Sequence, residues 1–231
     1  AKQMQEPLHE GFELAGGCLA LSVAMILLLR LRHKNAFPHL LWVVAALVAM
    51  GIVDGVHGFL PTGVAFSWTR HTGTLVGGVF FALVWLPLPA VVVRRTQYFI
   101  LIVAALALAG ALAICQWPER LPAPWVAGNY SRLVIATNAL GGLGFLAAAL
   151  FFIRRYLREP QGEDLVFTSQ TLLFGTSSLF FGFSHVWGAD WWVWHGARLL
   201  AYSVVLVAAY ETVVVLYQHI ARHAQELLKT N

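Results

Sequence analysis

The stretch PHLLWVVAALVAMGIVDGVHGFL, residues 38–60, decides the fold. Up to Val53 it is almost wholly apolar, and it is long enough to cross a bilayer, which takes about 20 apolar residues as a helix. Near its end it carries Asp54 and His57, three residues apart and so on one helical face. An ionisable pair inside an apolar span is costly and marks function by default.

Working outward, six more stretches have the same character, giving seven in all: roughly 11–31, 38–60, 71–93, 97–116, 131–153, 166–188 and 195–217. The composition agrees. The 231 residues are 59% hydrophobic and only 11% charged, against about 25% charged in soluble domains, and the mean hydropathy is +0.70. The expectation is an all-α polytopic membrane protein with seven transmembrane helices over residues 1–217. A helical tail, 218–231, would follow on the cytoplasmic side as the start of a signalling linker. Cys18 and Cys115 each sit in an apolar run and read as small core residues rather than a disulfide framework.

Orientation follows from lysine and arginine in the short loops. With residue 1 outside, the inner set is Arg30, Arg32, Lys34, Arg94, Arg95, Arg154, Arg155, Arg158, Arg222 and Lys229, ten in all. The outer set is Lys2, Arg70, Arg120, Arg132 and Arg198, five in all. The bias predicts an outside N-terminus and an inside C-terminus in a bacterial inner membrane. The net charge of +4 is thus a signature of topology, and nucleic acid is not an expected partner. The bilayer is one. Pairing of two copies through the C-terminal helix, or assembly in a larger membrane complex, would be others. Trp68, Trp117, Trp125, Trp187, Trp191, Trp192 and Trp194 fall in the outer loops with several prolines, as an interfacial aromatic belt.

This topology assigns a depth to each histidine. His33, His39, His219 and His223 lie at the inner side and read as polar interfacial residues. His9, His57, His71, His185 and His195 lie at the outer side, on four or five helices. Glu13 is four residues from His9, again on one helical face. Three readings compete. Asp54, His57, His71, His185 and His195, with His9 and Glu13, would bind a transition metal ion, since mixed N and O ligands suit Zn, Cu or non-haem Fe. Alternatively two histidines would ligate haem b, with Arg70 and Arg198 pairing its propionates. In the third reading the cluster is a hydrogen-bonded polar network without a cofactor. Tyr202, one turn beyond Arg198, is a further candidate donor to the site.

Several of these residues carry a family resemblance. His9-x-x-x-Glu13, Asp54-x-x-His57, Trp68-x-Arg70, and Ser184-His185 followed by His195 resemble the third class of bacterial membrane-associated sensor domains. Those are membrane input modules of histidine kinases and diguanylate cyclases. The resemblance implies that these histidines and acids form the sensing site and that the last helix carries the signal inward. It implies no catalytic activity for this region itself. Asp54-x-x-His57 with His71 also looks like the acid–His–His site of membrane copper monooxygenases. The alternative function is therefore a metal- or haem-binding subunit of a membrane oxidoreductase or electron-transfer complex.

Overall fold

A backbone in an apolar environment must satisfy its hydrogen bonds within its own segment, so long apolar runs fold as helices. The computed structural model describes residues 2–31 and 38–230, with side chains apart from 2–5, 212, 213, 215, 216 and 219–230. It is almost entirely helical. In order, the helices are α1 (Lys2–Arg30), α2 (Leu40–Gly58), α3 (Val64–Ala82), the short α4 (Ala90–Arg94), α5 (Thr96–Gln116), α6 (Arg132–Arg158), α7 (Gly162–Phe181) and α8 (Ala189–Thr230). Arg32 and Lys34, which entered the charge bias, and His33, read as an interfacial residue, lie outside the described residues, as does Asn231. The side chains of His219 and His223 do too.

Among the described residues, five helices are long and apolar enough to cross a membrane: α1, α2, α5, α6 and α8. α3 and α7 have similar length, 19 and 20 residues, but are more polar. Their polar side chains turn inward: Ser67, Arg70, His71 and Thr74 of α3 are buried, as are Asp164, Gln170, Thr171 and Ser177 of α7. By contrast Leu101, Ile102, Leu106 and Leu112 of α5, and Leu133, Leu140, Leu143 and Leu150 of α6, are exposed. Such apolar rows fit a lipid surface.

Six helices close a ring in which α1 packs on α2, α2 on α3, α3 on α6, α6 on α7, α7 on α8 and α8 back on α1. α5 lies outside the ring, chiefly against α2. The ring is filled by Leu47, Met50, Phe81, Phe145, Phe152, Phe167 and Phe174. Small residues allow close approach. A Cβ on Gly78 would lie 2.0 Å from the Gly141 carbonyl oxygen, and one on Gly144 would lie 2.3 Å from that of Gly78. The backbones of α3 and α6 therefore touch.

Several boundaries differ from the sequence expectation: the first helix begins at Lys2 rather than near 11, and α6 runs on to Arg158 rather than 153. The third apolar run, expected over 71–93, begins as helix at Val64 and stops at Ala82, with a 3-10 turn over Leu83–Trp85. Pro87 and Pro89 then prevent continuation. The sixth run ends at Phe181 rather than 188. The chain there turns through Gly182 to Gly188, and Trp187 adopts φ 67°. The seventh begins at Ala189 and continues unbroken to Thr230. A small hairpin also interrupts the loop between α5 and α6, pairing Trp125–Val126 with Asn129–Tyr130. Its two turn residues, Ala127 and Gly128, have φ 51° and 82°, the left-handed pair that a two-residue hairpin turn requires.

Candidate metal centre

Side chains three or four residues apart share a helical face, and three helices use this spacing to aim polar groups at one point, to which a fourth adds a single residue. α1 supplies His9 and Glu13, α2 supplies Asp54 and His57, α3 supplies Arg70, and α8 supplies His195, Arg198 and Tyr202. All eight are buried. Ligand atoms of His9, Glu13 and His57 lie within 4.8 Å of one another.

The hydrogen bonds decide which nitrogens are available. Thr69 gives its hydroxyl proton to the Ala65 carbonyl at 2.8 Å. It therefore accepts from His57 Nδ1, 3.2 Å away. A proton on Nδ1 leaves Nε2 of His57 as a lone pair, and that atom is buried without a hydrogen-bond partner. A ligating histidine is commonly held in this way through its other nitrogen. His195 follows the same rule. Its Nδ1 donates to the Trp191 carbonyl at 2.8 Å, and its Nε2 faces Glu13 Oε1 at 3.1 Å. His9 Nε2 lies 3.8 Å from that oxygen and also has no hydrogen bond.

Glu13 is thus the hub. Arg70 Nε approaches the same Oε1 at 3.8 Å, while Arg70 Nη1 donates to Thr74 Oγ1 at 2.7 Å. The guanidinium lies over the Phe181 ring, 4.6 Å from its centroid. Asp54 forms a second node. Its Oδ2 accepts from Arg198 Nη2 and, at 3.1 Å, from the Tyr202 hydroxyl. Two carboxylates face two guanidinium groups, so the layer is balanced in charge. The remaining demand is polar: His9 Nε2, His57 Nε2, His195 Nε2, Arg70 Nε, Arg198 Nη1 and Asp54 Oδ1 are buried without a hydrogen-bond partner in the protein. Buried polar groups are otherwise nearly always paired, and such a gathering points to a bound ion or ordered water.

Aromatic rings enclose the histidines. His9 contacts Phe66, Trp187 and Trp191 with ring centroids 5.1, 5.7 and 5.0 Å away. Trp191 lies 3.8 Å from His195. Tyr130 of the hairpin packs on Phe181 and on His71. Burial pushes its phenol up to about 12, so it stays neutral at physiological pH.

Two candidate ligands lie elsewhere. His71 is buried, but both its ring nitrogens are committed: Nε2 to Ser67 Oγ at 3.1 Å and Nδ1 to Asn138 Nδ2 at 2.8 Å. It adjoins Arg70, and one residue turns a helix by 100°. Arg70 therefore faces α1 while His71 faces α6. His185 is outside the cluster altogether. Its side chain is 77% exposed, 3.5 Å from Asp190 Oδ2, because α7 ends before reaching it. Asp54 is committed through Oδ2 to Arg198 and Tyr202, so it acts here as the counter-charge of an arginine.

Thr69 and Asn138 were not evident as site residues from the sequence. A threonine directly preceding an arginine–histidine pair was the available signal for the first. The second lies in a long apolar helix, where a lone asparagine demands a buried partner.

No family model, curated protein or solved structure matches this chain.

Proposed function

We propose that this chain is a membrane-embedded input module that senses a transition metal ion held by His9, Glu13 and His57. The carrying observation is that Glu13, at the centre of those ligands, also faces His195 at 3.1 Å. A change of charge at Glu13 is therefore felt directly by α8. That helix is 42 residues long, about 63 Å at 1.5 Å per residue. Its first part, Ala189–Glu211, is long and apolar enough to span. The rest projects beyond a layer about 30 Å thick and offers a route for the signal.

The charge bias and the ring of helices support seven spans, an outside N-terminus, an inside C-terminus and a bacterial inner membrane. The likeness to membrane-associated sensor domains supports the same role. Imidazole and carboxylate together suit Zn, Cu or Fe. An ion suits the cluster better than haem b, because His9 and His57 rings meet at 5.1 Å and are walled by Phe66, Trp187 and Trp191. These rings leave no slot for a macrocycle.

The test uses the chain in lipid nanodiscs with Cys18 and Cys115 replaced by alanine. Spin labels go at Leu106 on α5 and Leu200 on α8, both exposed. Zinc or copper is titrated with elemental analysis, and the label separation is measured. One ion per chain with a changed separation is expected. Failure to bind either metal, or binding with an unmoved α8, rejects the proposal.

A further inference from the structure

A cavity of about 230 Å³ opens beside the cluster, lined by Glu6, His9, Glu10, Phe66 and Trp187 among others. His9 belongs both to this lining and to the three-ligand group. It is 3% exposed, and its Nε2 has no hydrogen-bond partner. Glu6 and Glu10 are one turn apart on α1 and exposed. No lysine or arginine is among the lining residues.

We propose that this vestibule is the entry port for a hydrated divalent metal ion. Glu6 and Glu10 draw the ion in, and His9 is the first inner ligand it meets on the way to Glu13 and His57. The inference rests on the metal-centre reading and adds the route and the ligand class. Charge supports it: two carboxylates beside the apolar walls of Phe59, Leu60, Phe66 and Trp187 focus a negative potential into the opening. Size supports it as well. The cavity is below the ~300–1,000 Å³ of pockets for drug-sized ligands, which favours an ion with its water over an organic molecule. The other flank is closed. The space bounded by Glu13, His195, Arg198 and Tyr202 is about 10 Å³, room for one water at most.

The experiment is stopped-flow mixing of the full chain with Cu²⁺, read by quenching of tryptophan fluorescence. Trp187, Trp191 and Trp192 surround His9 and supply the signal. The double variant Glu6→Gln/Glu10→Gln should bind with an on-rate about tenfold lower at low salt, within the range of electrostatic steering. Its on-rate should also depend less on salt, and its final stoichiometry should be unchanged. Glu6→Asp/Glu10→Asp, which keeps both charges, should bind at close to the wild-type rate. An unchanged on-rate in the glutamine variant overturns the port and leaves the metal centre standing. A wild-type chain that binds no Cu²⁺ overturns both.

Discussion

His195 Nε2 on α8 lies 3.1 Å from Glu13 Oε1 on α1, while Nδ1 of the same ring is held by the Trp191 carbonyl at 2.8 Å. With Nδ1 committed as a donor, a neutral His195 would turn a lone pair toward a carboxylate oxygen. That opposition is relieved only by positive charge, either a proton between the two atoms or a cation beside them. The contact therefore couples the two helices through whatever occupies the cluster.

Metal affinity should depend on how His57 is held as well as on His57 itself. Thr69→Val removes the acceptor that keeps the proton on His57 Nδ1 at little change in volume. Loss of such an outer partner typically lowers metal affinity about 10–100-fold. His57→Ala should abolish stoichiometric binding. Isothermal titration with Zn²⁺ reads both variants, and equal affinity in Thr69→Val and wild type would contradict the tautomer assignment.

His71→Ala should leave metal content unchanged, because both ring nitrogens serve Ser67 and Asn138. It should still destabilise the bundle by about 1–3 kcal/mol, the cost of leaving a buried polar group unpaired. Elemental analysis and thermal unfolding in detergent separate the two effects. Loss of metal from His71→Ala would return this residue to the ligand set.

Asp54→Ala strands Arg198, which is buried and whose partners are Asp54 and Tyr202. Breaking a buried ion pair by removing one partner costs about 3–5 kcal/mol. Arg198→Ala should cost a similar amount, and the double variant clearly less than the sum. Additive losses would show that the pair is not coupled.

Substitution of His185 by alanine should change neither stability nor metal content, since its side chain faces solvent and surface substitutions usually stay within about 0.5 kcal/mol. A metal deficit in this variant would place it at the site after all.

Gly78→Ala should be among the most damaging single changes outside the cluster. The added methyl would meet the Gly141 backbone at 2.0 Å, and backbone cannot step aside as a side chain can. Overpacking typically costs about 1–3 kcal/mol, occasionally more. An unfolding temperature equal to wild type would show that α3 and α6 are free to separate.

Much of the architecture is legible from apolar run length. α2 and α5 occupy almost the residues their runs suggest, because nothing in those runs interrupts a helix. The clustering of His9, Glu13, Asp54, His57, His195 and Arg198 is legible from i, i+3 and i, i+4 spacing combined with depth. Azimuth is not. His71 and Arg70 share a depth, yet they face different neighbours, and only the packing of α3 against α6 decides which way each points. Nor is the fate of His185 legible from hydropathy, since Phe180, Phe181 and Phe183 are apolar whether they end a helix or enter a loop. The break at Pro87 and Pro89 was available from the sequence, because proline cannot continue a helix, and the apolar run through Val91–Val93 masked it.

The glycine seam between α3 and α6 fixes which parts of the bundle can move. Where main chain rests on main chain, neither helix can slip past the other without collision, so the pair behaves as a stator. The border of α1 with α8 is built differently: a methyl on Gly16 would meet the Tyr202 ring only at an ordinary 3.6 Å. The border that Glu13 and His195 bridge thus lacks the main-chain collision that locks α3 to α6, and a side chain there has room to shift.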